Sequence, residues 1–524
     1  MFNYVKERII EPIENNSTSV GWWLLFFAVI ILMRNFGDGL VWTYTIGHDT
    51  HPTHPQFFSI LKIFNAYMLA HVEMYLIVCC IMYLLTKENI LKISKVVIAF
   101  WIVSWIVPVW DYIFYGGGYP LQYGTDVSEI IPTLINIFNP FYQFERHSIG
   151  QRLEALFLCI GVATYIYIKT QSILKAVSGW IMSQFSFVVL LGFLHVVTVG
   201  PIYRIFPIFS RYVPEELIGA SLGDKLMGTP GLVHTNTQIT GILLMVMITI
   251  FLLIWFRIYA GKKNFSVWIK NINWSKGLNY AALTVAGIVI GIWRMENVLP
   301  HAFQNPIDYF ASVMLALAVF FAYLHICTVK GIINKRSDRS LKWASFGEQK
   351  LIASIFLFMA IFAAINTTYW CLLYLIVFIL LFYFIMLPPL KIERIPIISD
   401  LFIALTYMFS FFTGYGLLAD REAVHLLPGP LWQAALLGFI LAGILRYRKK
   451  LSRHIVPPVI FSAFMVVPLL TGLSMLYIAA GVLGLTAAFI VYRFEHKAAY
   501  VSYISILYYG VILYFIRKYV VIAL

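Results

Sequence analysis

The stretch 236-NTQITGILLMVMITIFLLIWFRIYAGKKNFSVWIKNINWSKG-277 joins a long apolar run to a segment that holds Lys262, Lys263, Lys270 and Lys276. As a helix, the part 236–260 is long enough to cross a bilayer core, which takes about 20 residues at roughly 1.5 Å each. The lysines that follow stop it at a membrane face. Outward from this unit the same alternation repeats, and about fifteen runs qualify as spans: 17–35, 58–86, 96–110, 152–170, 173–200, 236–260, 278–297, 307–329, 349–367, 369–388, 400–418, 431–446, 455–472, 473–492 and 500–516. Helix is the only sensible state for them, because an open sheet edge cannot be satisfied in lipid. The fold class read from the sequence is therefore all-α: a polytopic integral membrane protein with about 15 transmembrane helices in two bundles.

Charge orients the chain. Besides 261–277, the basic connections are 330–348, with Lys330, Lys335, Arg336, Arg339 and Lys342, and 446–454, with Arg446, Arg448, Lys449, Lys450 and Arg453. Shorter ones carry Lys87, Lys92, Lys95, Lys391, Arg394, Arg493 and Lys497. The positive-inside rule places these loops in the cytoplasm. The opposite loops hold Asp38, Asp49, Asp111, Asp126, Glu129, Glu215 and Glu216, and face away from it. The N-terminus is then cytoplasmic and the long loops of the first half are not; Arg517 and Lys518 weigh against the final crossing.

With 61% hydrophobic and 12% charged residues and a mean hydropathy of +0.82, the composition excludes a soluble globular protein. The net charge of +14 belongs to loops that meet anionic lipid headgroups, so no nucleic-acid partner is expected. The first apolar run follows Lys6, Arg8, Glu11 and Glu14 and lacks a small-residue cleavage pattern, so it reads as a retained anchor. Cys79, Cys80, Cys159, Cys327 and Cys371 fall in or beside spans, and there is no CxxC, Walker loop or dinucleotide-binding glycine pattern.

The basic connection 261–277 reads as a cytoplasmic linker between two membrane domains: 1–260, with six spans and long outer loops, and 278–524, with nine spans and short ones. In the first domain, segments 36–57, 111–151 and 201–235 are expected to pack together as an ordered cap, being rich in aromatics such as Trp42, Tyr44, Tyr112, Phe114 and Tyr119.

In the second domain, basic loops follow the second and sixth spans. The run Tyr383-Phe-Ile-Met-Leu-Pro-Pro-Leu-Lys391-Ile-Glu-Arg394-Ile-Pro, followed by Asp400-Leu-Phe-Ile-Ala-Leu, and the piece Ile333-Asn334-Lys335-Arg336-Ser337-Asp338-Arg339-Ser340-Leu341 stand in this frame. In these motifs the half resembles the UbiA-type intramembrane prenyltransferase superfamily. That resemblance implies a nine-helix bundle, with 330–348 and 446–454 near each other on one membrane face. It also implies an isoprenoid diphosphate held by magnesium on Asp-rich motifs. Here those motifs are degenerate: Cys327-Thr328-Val329-Lys330-Gly331-Ile332-Ile333-Asn334-Lys335 stands at the first and Arg446-Tyr-Arg448-Lys449-Lys450 at the second. Magnesium needs hard oxygen ligands, so ordinary magnesium-dependent prenyl transfer is not expected and the half reads as prenyltransferase-like at best, or as a pseudoenzyme. Lys330, Lys335, Arg336, Arg339, Lys391, Arg394, Arg446 and Arg448 would instead hold a lipid phosphate directly as cations. The alternative for each is contact with ordinary anionic headgroups.

In the first half, His48-Asp49-Thr-His51-Pro-Thr-His54-Pro is the densest coordinating cluster. Neutral imidazoles suit zinc, copper or iron, and His147, Glu145, Asp111 or His234 could complete a site; the alternative is a hydrogen-bonded loop. His71 and Glu73 lie within a span, where a charged carboxylate costs about 3 kcal/mol, and are expected to face the bundle interior. His195 is either their partner, a haem ligand or an interhelical hydrogen bonder. Arg152 and Glu154 read as interface anchors.

Three functions compete. The first is handling of an isoprenoid or other phosphate-bearing lipid. The second is transfer of a group from a lipid-linked donor at the outer face, with Asp38 or Asp49 as catalytic carboxylate. The third is a redox or structural subunit of a membrane complex, with protein partners and a His-ligated metal or haem.

Overall fold

The computed structural model describes residues 2–43, 56–115, 127–139, 148–205, 236–272, 274–294, 303–333, 341, 343–386, 392 and 396–418. Most of the described residues are helical, and there is no strand among them. Every expected span that precedes residue 419 coincides with helix, and eight helices are long and apolar enough to cross a membrane. The expected spans 431–446, 455–472, 473–492 and 500–516 lie outside the described residues. The chain forms two compact units, Met1–Val267 with Phe303–Phe310, and Trp268–Ala302 with Ala311–Leu524.

The first unit contains helices Val20–Thr43, Gln56–Thr86, Ile90–Phe100, Ile106–Tyr115, Ile149–Thr170 and Ile173–Phe185, and two of its joints are short and chemically specified. Asn89 caps one helix by accepting from Leu91 N, and Ser172 caps another by accepting from Lys175 N. Gln171, at φ 53°, turns the chain between Ile149–Thr170 and Ile173–Phe185. The N-terminal segment Phe2–Glu14 is helical and clasped to this bundle. Buried Glu14 accepts from Lys169 Nζ at 2.6 Å and from Tyr165 OH at 2.8 Å, while Lys95 Nζ donates to Asn16 O at 2.6 Å.

One expected span differs in its winding. The run 173–200 is not one smooth helix: Ser186–Gly192 winds as a π-helix, and Phe193 (φ −117°, ψ 37°) breaks it before Leu194–Thr198. Ser186 Oγ donates back to Met182 O at 2.7 Å, a side-chain bond that competes with regular helical winding at this point. The stretch 261–277, read as a linker, is helical to Asn271. Gly261 takes φ 73° and ψ 156°, which only glycine adopts without strain, and so redirects the helix rather than ending it. Beyond it Lys262, Lys263 and Lys270 are exposed while Trp268 is buried against Phe356. This is the pattern of a helix lying in a membrane interface.

In the second unit, helices Trp274–Arg294 and Pro396–Tyr415 pack closely because Gly287 and Gly414 let the two backbones touch. A Cβ on Gly287 would strike the Phe411 carbonyl, and one on Gly414 the Thr284 carbonyl. Around this contact Thr284 Oγ1 donates to Ser410 O at 3.0 Å and Ser410 Oγ to Tyr280 O at 2.7 Å. Leu283, Ala286, Phe411, Phe412 and Tyr415 form the apolar core beside it.

Gly414→Ala is therefore expected to destabilise the full chain by about 3 kcal/mol, the upper end of overpacking costs, since backbone rather than a side-chain tip must give way. Gly161→Ala, where a Cβ meets nothing within 4 Å, should be neutral or gain about 0.5–1 kcal/mol. Unfolding in mixed micelles measures both, and equal effects would contradict the close backbone approach.

Candidate functional site

Ionisable side chains meet in the interior of the first unit. Arg34, at the end of the apolar stretch Val20–Asn35, is 5% exposed. Its Nη2 donates to Glu154 Oε2 at 3.3 Å and its Nη1 lies 2.6 Å from His71 Nε2. On the other side of the imidazole, Trp101 Nε1 is 3.2 Å from Nδ1, and Glu154 Oε1 is 3.9 Å from the same nitrogen. These groups, with Gln151, line a cavity of about 30 Å³, which is room for about two waters. Phe187 and Leu191 from the π-helix and Leu158 and Met74 from neighbouring helices close it with apolar surface. π-Helical turns recur at functional sites because they re-aim side chains that a regular helix would point elsewhere.

Local sequence fixes each member. Ser148 caps the helix Ile149–Thr170 through a reciprocal box: its Oγ accepts from Gln151 N at 3.0 Å, and its N donates to Gln151 Oε1 at 3.2 Å. Asp111 Oδ1 accepts from Gly150 N at 3.0 Å, a carboxylate placed where a helix N-terminus favours negative charge. Any side chain on Gly150 would crowd that carboxylate. Glu154 follows Gly150 by four residues and so shares its inward face. Trp101 opens the 3-10 segment Trp101–Trp105, and its ring is held edge-on by Phe27 at 5.4 Å.

His71 and Glu73 both face the interior, as expected, but only His71 joins the cavity. Glu73 is fully buried, and among the described residues neither of its oxygens has a hydrogen-bond partner. Arg152 and Glu154 do not anchor an interface; both are buried. Arg152 Nε donates to Ile137 O at 2.8 Å and its Nη2 to Asn139 O, which ties down the preceding segment. His195 takes the interhelical option, with Nε2 at 3.2 Å from Thr240 Oγ1. Arg34, Trp101 and Gln151 were not singled out in the sequence. A lone arginine closing an apolar run on the side poor in positive charge was the available signal.

The second unit holds a smaller polar contact. His325 Nδ1 is 2.7 Å from Ala353 O, and its Nε2 meets the Tyr383 hydroxyl. With Nδ1–H donating to the carbonyl, Nε2 accepts from the phenol. Tyr383 begins the Pro-Pro-Leu-Lys run on which the family resemblance rests.

Of the basic residues read as phosphate ligands, Lys330 lies exposed in the last turn of helix Pro306–Ile333. Lys335, Arg336, Arg339, Lys391, Arg394, Arg446 and Arg448 lie outside the described residues, as do His48, His51 and His54. Among the described residues no three His, Cys, Asp or Glu side chains are grouped to hold a metal ion.

No protein-family model, curated protein or solved structure matches the chain. Its sequence and fold make it a multi-pass helical membrane protein.

Removing one partner of a buried ion pair leaves the other charge without compensation, at a typical cost of about 3–5 kcal/mol. Arg34→Met is expected to show a loss of this size in mixed-micelle unfolding, and Arg34→Met with Glu154→Leu to recover most of it. Simple addition of the two single effects would mean that the pair is not coupled.

Proposed function

We propose that this multi-pass membrane protein handles a phosphate-bearing lipid, with an isoprenoid phosphate as the leading ligand class. One observation carries the proposal: a buried arginine, Arg34, lines a cavity together with an imidazole, an indole and a carboxylate inside an apolar helical unit. Ionisable groups are costly within membrane helices and mark functional sites there. A guanidinium fork matches phosphate oxygens, and in this reading an oxygen of the headgroup enters the cavity while the tail it carries lies outside among the membrane lipids. His71 and Glu154 supply the acid–base pair that a group transfer would use.

The isoprenoid class comes from the UbiA-like resemblance of the second half. In this reading its cations, Lys330, Lys335, Arg336, Arg339, Lys391, Arg394, Arg446 and Arg448, contact lipid phosphate from the cytoplasmic side without magnesium. The long loops of the first half lie on the opposite side.

The test is lipid extraction from the purified full chain, with mass spectrometry of the extract. Polyprenyl phosphates should be enriched over the source membrane, and Arg34→Gln should lower that enrichment about tenfold, the loss of one charged hydrogen bond. No enrichment in the wild type, or equal enrichment in both, would overturn the proposal.

A further inference from the structure

Glu73 takes no part in the Arg34 cavity, although His71 of the same helix lines it. Residues two apart on a helix point about 200° from each other, so the carboxyl sits on the opposite face of Gln56–Thr86. That face is interior too: Glu73 is 0% exposed, and Leu69, Leu76 and Ile77, its neighbours one turn away, are buried. The helix ends at Thr86, 13 residues on, which is about 20 Å along the axis. Met74, next in the chain, lines the cavity together with Phe187 and Leu191. Glu73 therefore stands at the depth of the π-helical turn Ser186–Gly192, which carries no ionisable residue.

Neither carboxyl oxygen has a hydrogen-bond partner among the described residues. Charged groups on the helices packed against Gln56–Thr86 are engaged elsewhere. Arg34 holds Glu154, Arg152 holds Ile137 O, Lys95 reaches Asn16 O and Lys169 holds Glu14. Lys92 and Lys175 stand in the first turns of their helices, at the end of the bundle where Lys169 meets Glu88. Besides His71, the titratable groups nearby on its own helix are the weak acids Tyr75, Cys79 and Cys80.

Without a counter-charge in this apolar interior, an ionised carboxylate is far costlier than the neutral acid, so Glu73 holds its proton. Even the neutral acid leaves a buried donor and acceptor unpaired, a penalty that leucine would avoid. A group kept at that penalty within a membrane helix marks function rather than packing, and π-helical turns accompany such sites.

We infer that Glu73 is a proton-exchange site in the membrane interior. Its carboxylate takes a proton from a hydronium ion, leaving water and the neutral acid, and returns the proton to water that reaches the π-helical turn. The site uses no group of the Arg34 cavity, so it stands or falls apart from the lipid-phosphate reading.

The experiment is infrared spectroscopy of the full chain in detergent, transferred from ordinary to heavy water. Wild type should show a carboxylic-acid carbonyl band that Glu73→Gln removes, and that band should move to lower frequency in heavy water while the protein stays folded. Absence of the band means an ionised carboxylate and would overturn the site. So would a Glu73 band that keeps its position in heavy water until the protein unfolds, because a sealed acid exchanges nothing. Glu73→Asp moves the band instead of removing it, and assigns it should Glu73→Gln not fold. In mixed-micelle unfolding Glu73→Leu should be as stable as wild type or more so; a lower midpoint would show that the carboxyl serves packing, and would also overturn the inference.

Discussion

Hydrocarbon offers no partner for a charge, and the arrangement of the first unit follows from where Arg34 finds its own. The guanidinium is buried, so its neighbours must supply acceptors. Glu154 supplies one from a helix whose start is fixed by Ser148, Gln151 and Asp111. His71 supplies another from a second helix. Three helices distant in sequence are thereby held in one relation by a few polar atoms, while packing of Ile30, Ile31, Leu69, Val162 and similar residues fills the space around them. Such packing alone gives membrane helices little directional preference, since lipid tails are as apolar as their side chains.

In the second unit a described helix pair meets the same constraint with neutral groups. Helices Trp274–Arg294 and Pro396–Tyr415 use missing side chains at Gly287 and Gly414 and hydroxyls at Thr284 and Ser410. His325 and Tyr383 satisfy each other and a backbone carbonyl across three helices. The two units thus solve the association problem differently, one through an ion pair beside a cavity and the other through close backbone contact and neutral hydrogen bonds.

Much of the architecture was legible in the sequence because a bilayer imposes a length. Apolar runs such as 152–170 and 369–388 have no other good reading, and both are helices. The joints were harder. Nothing in the apolar run 173–200 announces the π-helical turn at Ser186–Gly192, since hydropathy does not distinguish one helical winding from another. The candidate site was half legible: His71 stood out as a polar residue inside a span, whereas Glu154 sits near a helix start, where a carboxylate is ordinary. Its inward orientation depends on the phase set by the Ser148 cap, which a hydropathy reading does not carry. Arg34 was hidden for a similar reason, at the end of a span where a cation usually reaches water. The basic residues 335, 336, 339, 391, 394, 446 and 448 and the histidines 48, 51 and 54 lie outside the described residues.

Gly261 has a consequence for how this chain measures its surroundings. The helix Asn236–Asn271 has 36 residues, about 54 Å if straight, nearly twice the roughly 30 Å of a hydrocarbon core. An unbroken rod of that length would have to tilt steeply or carry its lysines far beyond the headgroups. The non-helical torsion at Gly261 divides the helix into an apolar part, 236–260, long enough to cross that core, and a part that bears Lys262, Lys263 and Lys270. One backbone torsion thus sits where the apolar length runs out, like an end mark on a ruler.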